Sequence, residues 1–110
     1  MKEDFVTYEI AVKLKEKGFY WDKITTYNPR IKVRNNHLEP TISQALKWLR
    51  EEKNLFVEPS LFKYGYESYV QSTIFEEDKD YTDTWRVEGF HSTYELAALA
   101  GIEYVIDNLI

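Results

Sequence analysis

The sequence predicts an α+β domain: a small antiparallel sheet of three to five strands packed by about three helices, in the order α-β-β-α-β-β-β-α. Three observations carry this expectation. Apolar residues recur at helical spacing in residues 4–17, 40–53 and 92–110. Between these segments lie short stretches rich in Thr and aromatic residues, in which apolar and polar positions alternate. After the second helix the strands are joined by connections of hairpin length, which makes the sheet antiparallel and gathers the helices on one of its faces. A chain of 110 residues fits a single domain over residues 1–110, and at that size about two-thirds of the unfolded surface is buried without disulfides or metals.

Residues 4–17, DFVTYEIAVKLKEK, are the first helix. Val6, Ile10 and Leu14 share one side and Phe5, Tyr8 and Val12 another, so its apolar arc is broad. Gly18 ends it, because glycine enters the left-handed C-terminal conformation without a Cβ clash. Residues 21–27 and 30–34 read as two short edge strands divided at Asn28-Pro29, with Ile31 and Val33 opposite Arg30, Lys32 and Arg34.

Residues 40–53, PTISQALKWLREEK, are the second helix. Thr41 and Gln44 form a capping box, and Ile42, Ala45, Leu46 and Leu49 make a stripe with Trp48 at its margin. Asn54 closes the helix, and residues 55–57 form a short strand stopped by Pro59. Strands within residues 62–75 break at Gly65 or near Glu67-Ser68, residues 76–83 (EEDKDYTD) are a charged turn, and residues 84–88 are a final strand carrying Trp85 and Val87. In residues 92–110, STYELAALAGIEYVIDNLI, Ser92 and Glu95 have capping-box spacing. Ala98, Leu99, Ile102, Val105, Ile106 and Leu109 then form the stripe that the rest of the chain must cover.

The three helical segments, DFVTYEIAVKLKEKGF, PTISQALKWLREEKN and STYELAALAGIEYVIDNLI, resemble a family of short uncharacterised proteins from gut Bacteroidales genomes and their phages or mobile elements. The resemblance covers nearly half of the chain and implies a genomic setting. It implies no activity, cofactor or catalytic residue.

Composition narrows the function. There is no cysteine, so disulfides, thiolate nucleophiles and Cys-ligated zinc are excluded. The N-terminal segment lacks the apolar run of a signal peptide and no stretch reaches membrane-spanning length, so the expectation is a cytoplasmic protein without membrane association. The net charge of −5 is unevenly divided: residues 1–57 hold 11 basic against 8 acidic residues, and residues 58–110 hold 3 against 11. Such asymmetry marks a partner surface, or two halves that attract each other within the fold or across a homodimer.

No motif for chemistry is evident. His37 and His91 are far apart and lack ligand spacing, and Asp78, Asp80 and Asp83 lack the glycine and terminal glutamate of a calcium loop. The serines lie in no glycine-flanked elbow, and Gly18, Gly65, Gly89 and Gly101 are isolated, so there is no phosphate loop. The expectation is therefore no enzyme, no cofactor and no metal. A DNA-binding alternative is sharper: TISQALKWLREEKNLFVEP followed by a hairpin is similar to the recognition helix, strand and wing of winged-helix regulators. That reading sets Thr41, Ser43 and Gln44 near base edges and Lys47 and Arg50 on phosphates. Residues 23–53 hold 7 basic against 3 acidic residues, which favours it, whereas the missing preceding helix and the acidic wing disfavour nucleic acid as the partner. The leading expectation is a small accessory or protein-interaction domain with a protein partner, touching it through exposed aromatics among Trp21, Tyr27, Tyr64, Tyr66, Tyr69 and Trp85.

Overall fold

Threonine hydroxyls set where the helices begin, and of these only Thr41 is expected from the sequence. In the computed structural model, which describes residues 5–19, 32–34, 37–76 and 79–110, three helices are each started by a threonine. They are α1 (Tyr8–Glu16), α2 (Ile42–Lys53) and α3 (Tyr94–Asn108). The Thr41 hydroxyl accepts from the Gln44 N–H at 3.2 Å while the Gln44 side chain accepts from the Thr41 N–H at 2.8 Å, so the capping box of α2 is complete. Asn54 closes that helix in the left-handed conformation at φ 54°.

Two helix starts differ from expectation. The N-cap of α3 is Thr93, whose hydroxyl accepts from Leu96 N–H at 3.1 Å. With Thr93 as the cap, Glu95 falls one position short of the residue a box requires, and Ser92 has no capping role. The first helix begins at Tyr8 rather than near residue 4, because the preceding backbone is held extended. Phe5 bridges to Thr41 and Val6 N–H donates to the Pro40 carbonyl at 3.0 Å.

The strands are β1 (Lys32–Arg34), β2 (His37–Glu39), β3 (Leu55–Phe62), β4 (Gly65–Glu76) and β5 (Lys79–His91). β1 and β2 pair as a separate ribbon, and β3-β4-β5 is an antiparallel meander with β4 central. The α+β class and the antiparallel sheet hold. Within that frame β3, an outer strand of the sheet, runs through Pro59, which lies opposite Ser68 of β4, and on an outer strand a missing donor is tolerated. The hairpin break falls at Lys63-Tyr64, ahead of Gly65, whose φ of 129° favours glycine. Residues 76 and 79 pair directly, so the strands reach into the stretch expected as a charged turn. The strand expected at 21–27 lies outside the described residues.

Helix α3 lies across β3, β4 and β5, with α2 against β3 and α3, and α1 against β2 and α3. Ile102, Val105, Leu14, Leu49 and Val70 are fully buried where these elements meet. α3 approaches the sheet closely at Gly101, where a Cβ would overlap the Val57 side chain and crowd Ser68. One turn earlier, the buried Ser68 hydroxyl donates to the Ala97 carbonyl. On its other side α3 is tied to α1: Lys13 pairs with Asp107 at 3.1 Å and Glu103 at 3.8 Å, and Lys17 donates to the Ile110 carbonyl at 2.8 Å. The hydrogen bond to Asp107 raises the Lys13 pKa above its ordinary value.

Candidate functional site

Strand alternation sorts the meander into two faces. Val57, Ser68, Val70 and Val87 point to α3 and are buried. Their neighbours Glu58, Phe62, Glu67, Tyr69, Arg86 and Glu88 therefore belong to the opposite face. On that face the Glu67 carboxylate is almost wholly buried, with 3% of its side chain exposed, and pairs at 3.0 Å with Arg86, whose side chain is 59% exposed. The Tyr69 hydroxyl donates to Glu67 Oε1 at 3.0 Å. The Arg86 guanidinium, then the Tyr69 hydroxyl, hold the Glu67 pKa below the usual carboxylate range, while the same contacts raise those of Tyr69 and Arg86.

Beside this network the face becomes apolar. Phe62 lies 6.1 Å from Tyr69 and 6.4 Å from Phe90, and Tyr64 lies 5.9 Å from Phe90, all ring to ring. Phe90 reaches this cluster because β4 and β5 change register between Tyr66 and Ser68. Two residues of β4 there span four of β5, and Gly89 takes φ 112° within the bulge. On the helix side of the same end, Tyr66 packs edge-to-face on Tyr94 at 6.3 Å. Among the described residues the large apolar side chains left exposed are Leu61, Phe62, Tyr64, Phe90, Tyr94 and Leu96. They come from the β3–β4 turn, the end of β5 and the start of α3, so they share one end of the molecule.

A groove of about 290 Å³ lies between α2 and β3 and reaches Tyr94 at this end. It is lined by Leu46 and Arg50 of α2, by residues 56–59 of β3 and by Tyr94.

The aromatic contact residues expected from sequence separate accordingly. Tyr64 is 74% exposed at the turn. Tyr66 and Tyr69 are half-buried and engaged with Tyr94 and Glu67. Trp85 packs against the core, and Trp21 and Tyr27 lie outside the described residues. Sequence reasoning missed Phe62 and Phe90, neither of which it named as a contact residue. Their signal was position, beside the turn and beside an isolated glycine.

Of the residues named for nucleic acid, Thr41 is buried, and it and Gln44 are occupied with each other in the capping box. Ser43 and Arg50 are exposed, and Lys47 lies 3.9 Å from Glu51. The element just before α2 is the β1–β2 ribbon. Among the described residues there is no cluster of His, Cys, Asp and Glu able to hold a metal ion, and no helix long and apolar enough to cross a membrane. Compared with protein-family models, with curated proteins and with solved structures, the chain matches none.

Proposed function

We propose that this chain is a non-enzymatic protein-interaction domain that binds its partner through the aromatic end formed by Phe62, Tyr64 and Phe90. The observation that carries the reading is the gathering of exposed large apolar side chains at one end, rather than their scatter over the surface. Scattered apolar residues are ordinary on any protein, whereas a contiguous patch marks a contact site. The composition agrees: tyrosine, phenylalanine and an ordered arginine provide large contact area at small entropy cost. The resemblance of the helical segments supports the further reading of a cytoplasmic accessory protein encoded by a phage or mobile element.

The test is site-specific photocrosslinking in source cells, with a benzophenone side chain at position 64 and, as control, at the exposed position 103 of α3. The expected result is a discrete adduct from position 64 that disappears when Phe62 and Phe90 are both changed to Ser. The same adducts from both positions, or none from either, would end this reading.

A further inference from the structure

Resting on that reading, we infer that the aromatic end is built for a basic polypeptide segment, in which an apolar side chain seats among Phe62, Tyr64 and Phe90 while lysine or arginine meets Glu58 and Glu88. Glu58 lies in register with Tyr69, and Tyr69 with Arg86, so one row crosses the sheet beside the aromatic cluster. Glu88 stands two residues beyond Arg86 on the same face. The positive charge of Arg86 is taken up by the buried Glu67 at 3.0 Å. Glu58 and Glu88 are exposed, and neither has an ion pair among the described residues. Glu88 also lies within reach of the Arg86 charge. Three carboxylates on these strands, Glu58, Glu67 and Glu88, thus share one guanidinium, and the balance beside the aromatic cluster is negative even with Lys63 counted.

The rings show the same preference within the chain. The Lys63 ammonium lies 5.6 Å over the Tyr64 ring, the arrangement by which an aromatic face receives a cation. A partner's lysine or arginine can use the same face with carboxylates close by. The remaining occupants fit poorly. Nucleic acid and anionic lipid would bring phosphate against Glu58 and Glu88. A second copy joined through this end would bring the same two carboxylates from each side, at a like-charge cost.

The experiment is selection from an mRNA-displayed library of random 12-residue peptides on the immobilised full-length chain, with counter-selection on a Tyr64→Ser, Phe90→Ser double variant. The leading peptide is then titrated against wild type and a Glu58→Gln, Glu88→Gln variant. Both substitutions in that second variant are on exposed positions, which leaves the fold intact. The expected result is enrichment of peptides pairing Lys or Arg with Leu, Phe or Trp. Binding should weaken about five- to tenfold in the glutamine variant, and more in high salt than in low. Enriched peptides that are apolar without basic residues, or that bind the glutamine variant equally well, would overturn the basic partner and leave the interaction reading standing. Peptides that fail to distinguish wild type from the Tyr64, Phe90 variant would overturn both. A concentration-dependent dimer in sedimentation that Tyr64→Ser abolishes would assign the face to a second copy and overturn the basic segment as its occupant.

Discussion

The two ends of the β3–β4–β5 meander treat apolar side chains in opposite ways. Where α3 crosses the strands, Val57 and Val70 are sealed beneath a helix that approaches closely enough to require Gly101. Past the end of that helix the strands continue into the turn, and there Phe62, Tyr64 and Phe90 have one another and Tyr69 as ring partners among the described residues. The same residue classes thus serve as core or as surface according to whether a helix lies over them. Apolar character alone marks a candidate contact site only where the fold withholds its cover.

Substitutions on the two sides of this divide should differ widely in cost. Ile102→Ala removes a fully buried side chain from beneath the sheet and should lower stability by about 2–5 kcal/mol in chemical denaturation. A loss below about 1 kcal/mol would mean that α3 packs loosely on the sheet. Gly101→Ala tests the closeness of approach. Alanine favours a helix interior by about 1 kcal/mol over glycine, yet its methyl would overlap Val57, and overpacking costs about 1–3 kcal/mol. The net expectation is a lower melting temperature; a rise would show that the sheet can retreat from the helix.

The next effect is a pH dependence. Because pairing with Arg86 depresses the folded-state pKa of Glu67, its contribution is present above the ordinary carboxylate pKa. It is lost as the pH falls through the lower, folded value. Denaturation midpoints followed downward from about pH 5 should therefore fall less steeply in Glu67→Gln than in wild type. Parallel profiles would remove Glu67 from the acid response. Smallest of all, Tyr64→Ser at a position 74% exposed should change stability by no more than about 0.5 kcal/mol. A larger loss would make the aromatic end part of the core and narrow the contrast between the two ends.

How much of this was legible in the sequence follows the same division. The apolar positions of α2 recur at helical spacing beneath a Thr41–Gln44 cap, and Ile42, Ala45, Leu46, Trp48 and Leu49 are all buried. Local rules suffice there. The extent of β5 was hidden because residues 79–83, KDYTD, carry no apolar alternation, and cross-strand backbone pairing with β4 sets that part of the strand. Glu67 was unremarkable in sequence because its burial depends on Arg86, 19 positions away, reaching it across the sheet. Tyr64 could be named from its residue type and turn neighbourhood, whereas Phe90 enters the cluster through a bulge that only the β4–β5 register shows.

The latch between the first and last helices also bears on how the chain folds during its own synthesis. Lys13 and Asp107 are 94 residues apart. At ribosomal rates of about 5–20 residues per second, α1 waits roughly 5–20 s for that partner. The residues flanking α1 meet their partners much sooner, Val6 at Pro40 and Phe19 at Trp48. The nascent chain therefore passes through an interval in which α1 can lean on β2 while the side that will meet α3 stands open.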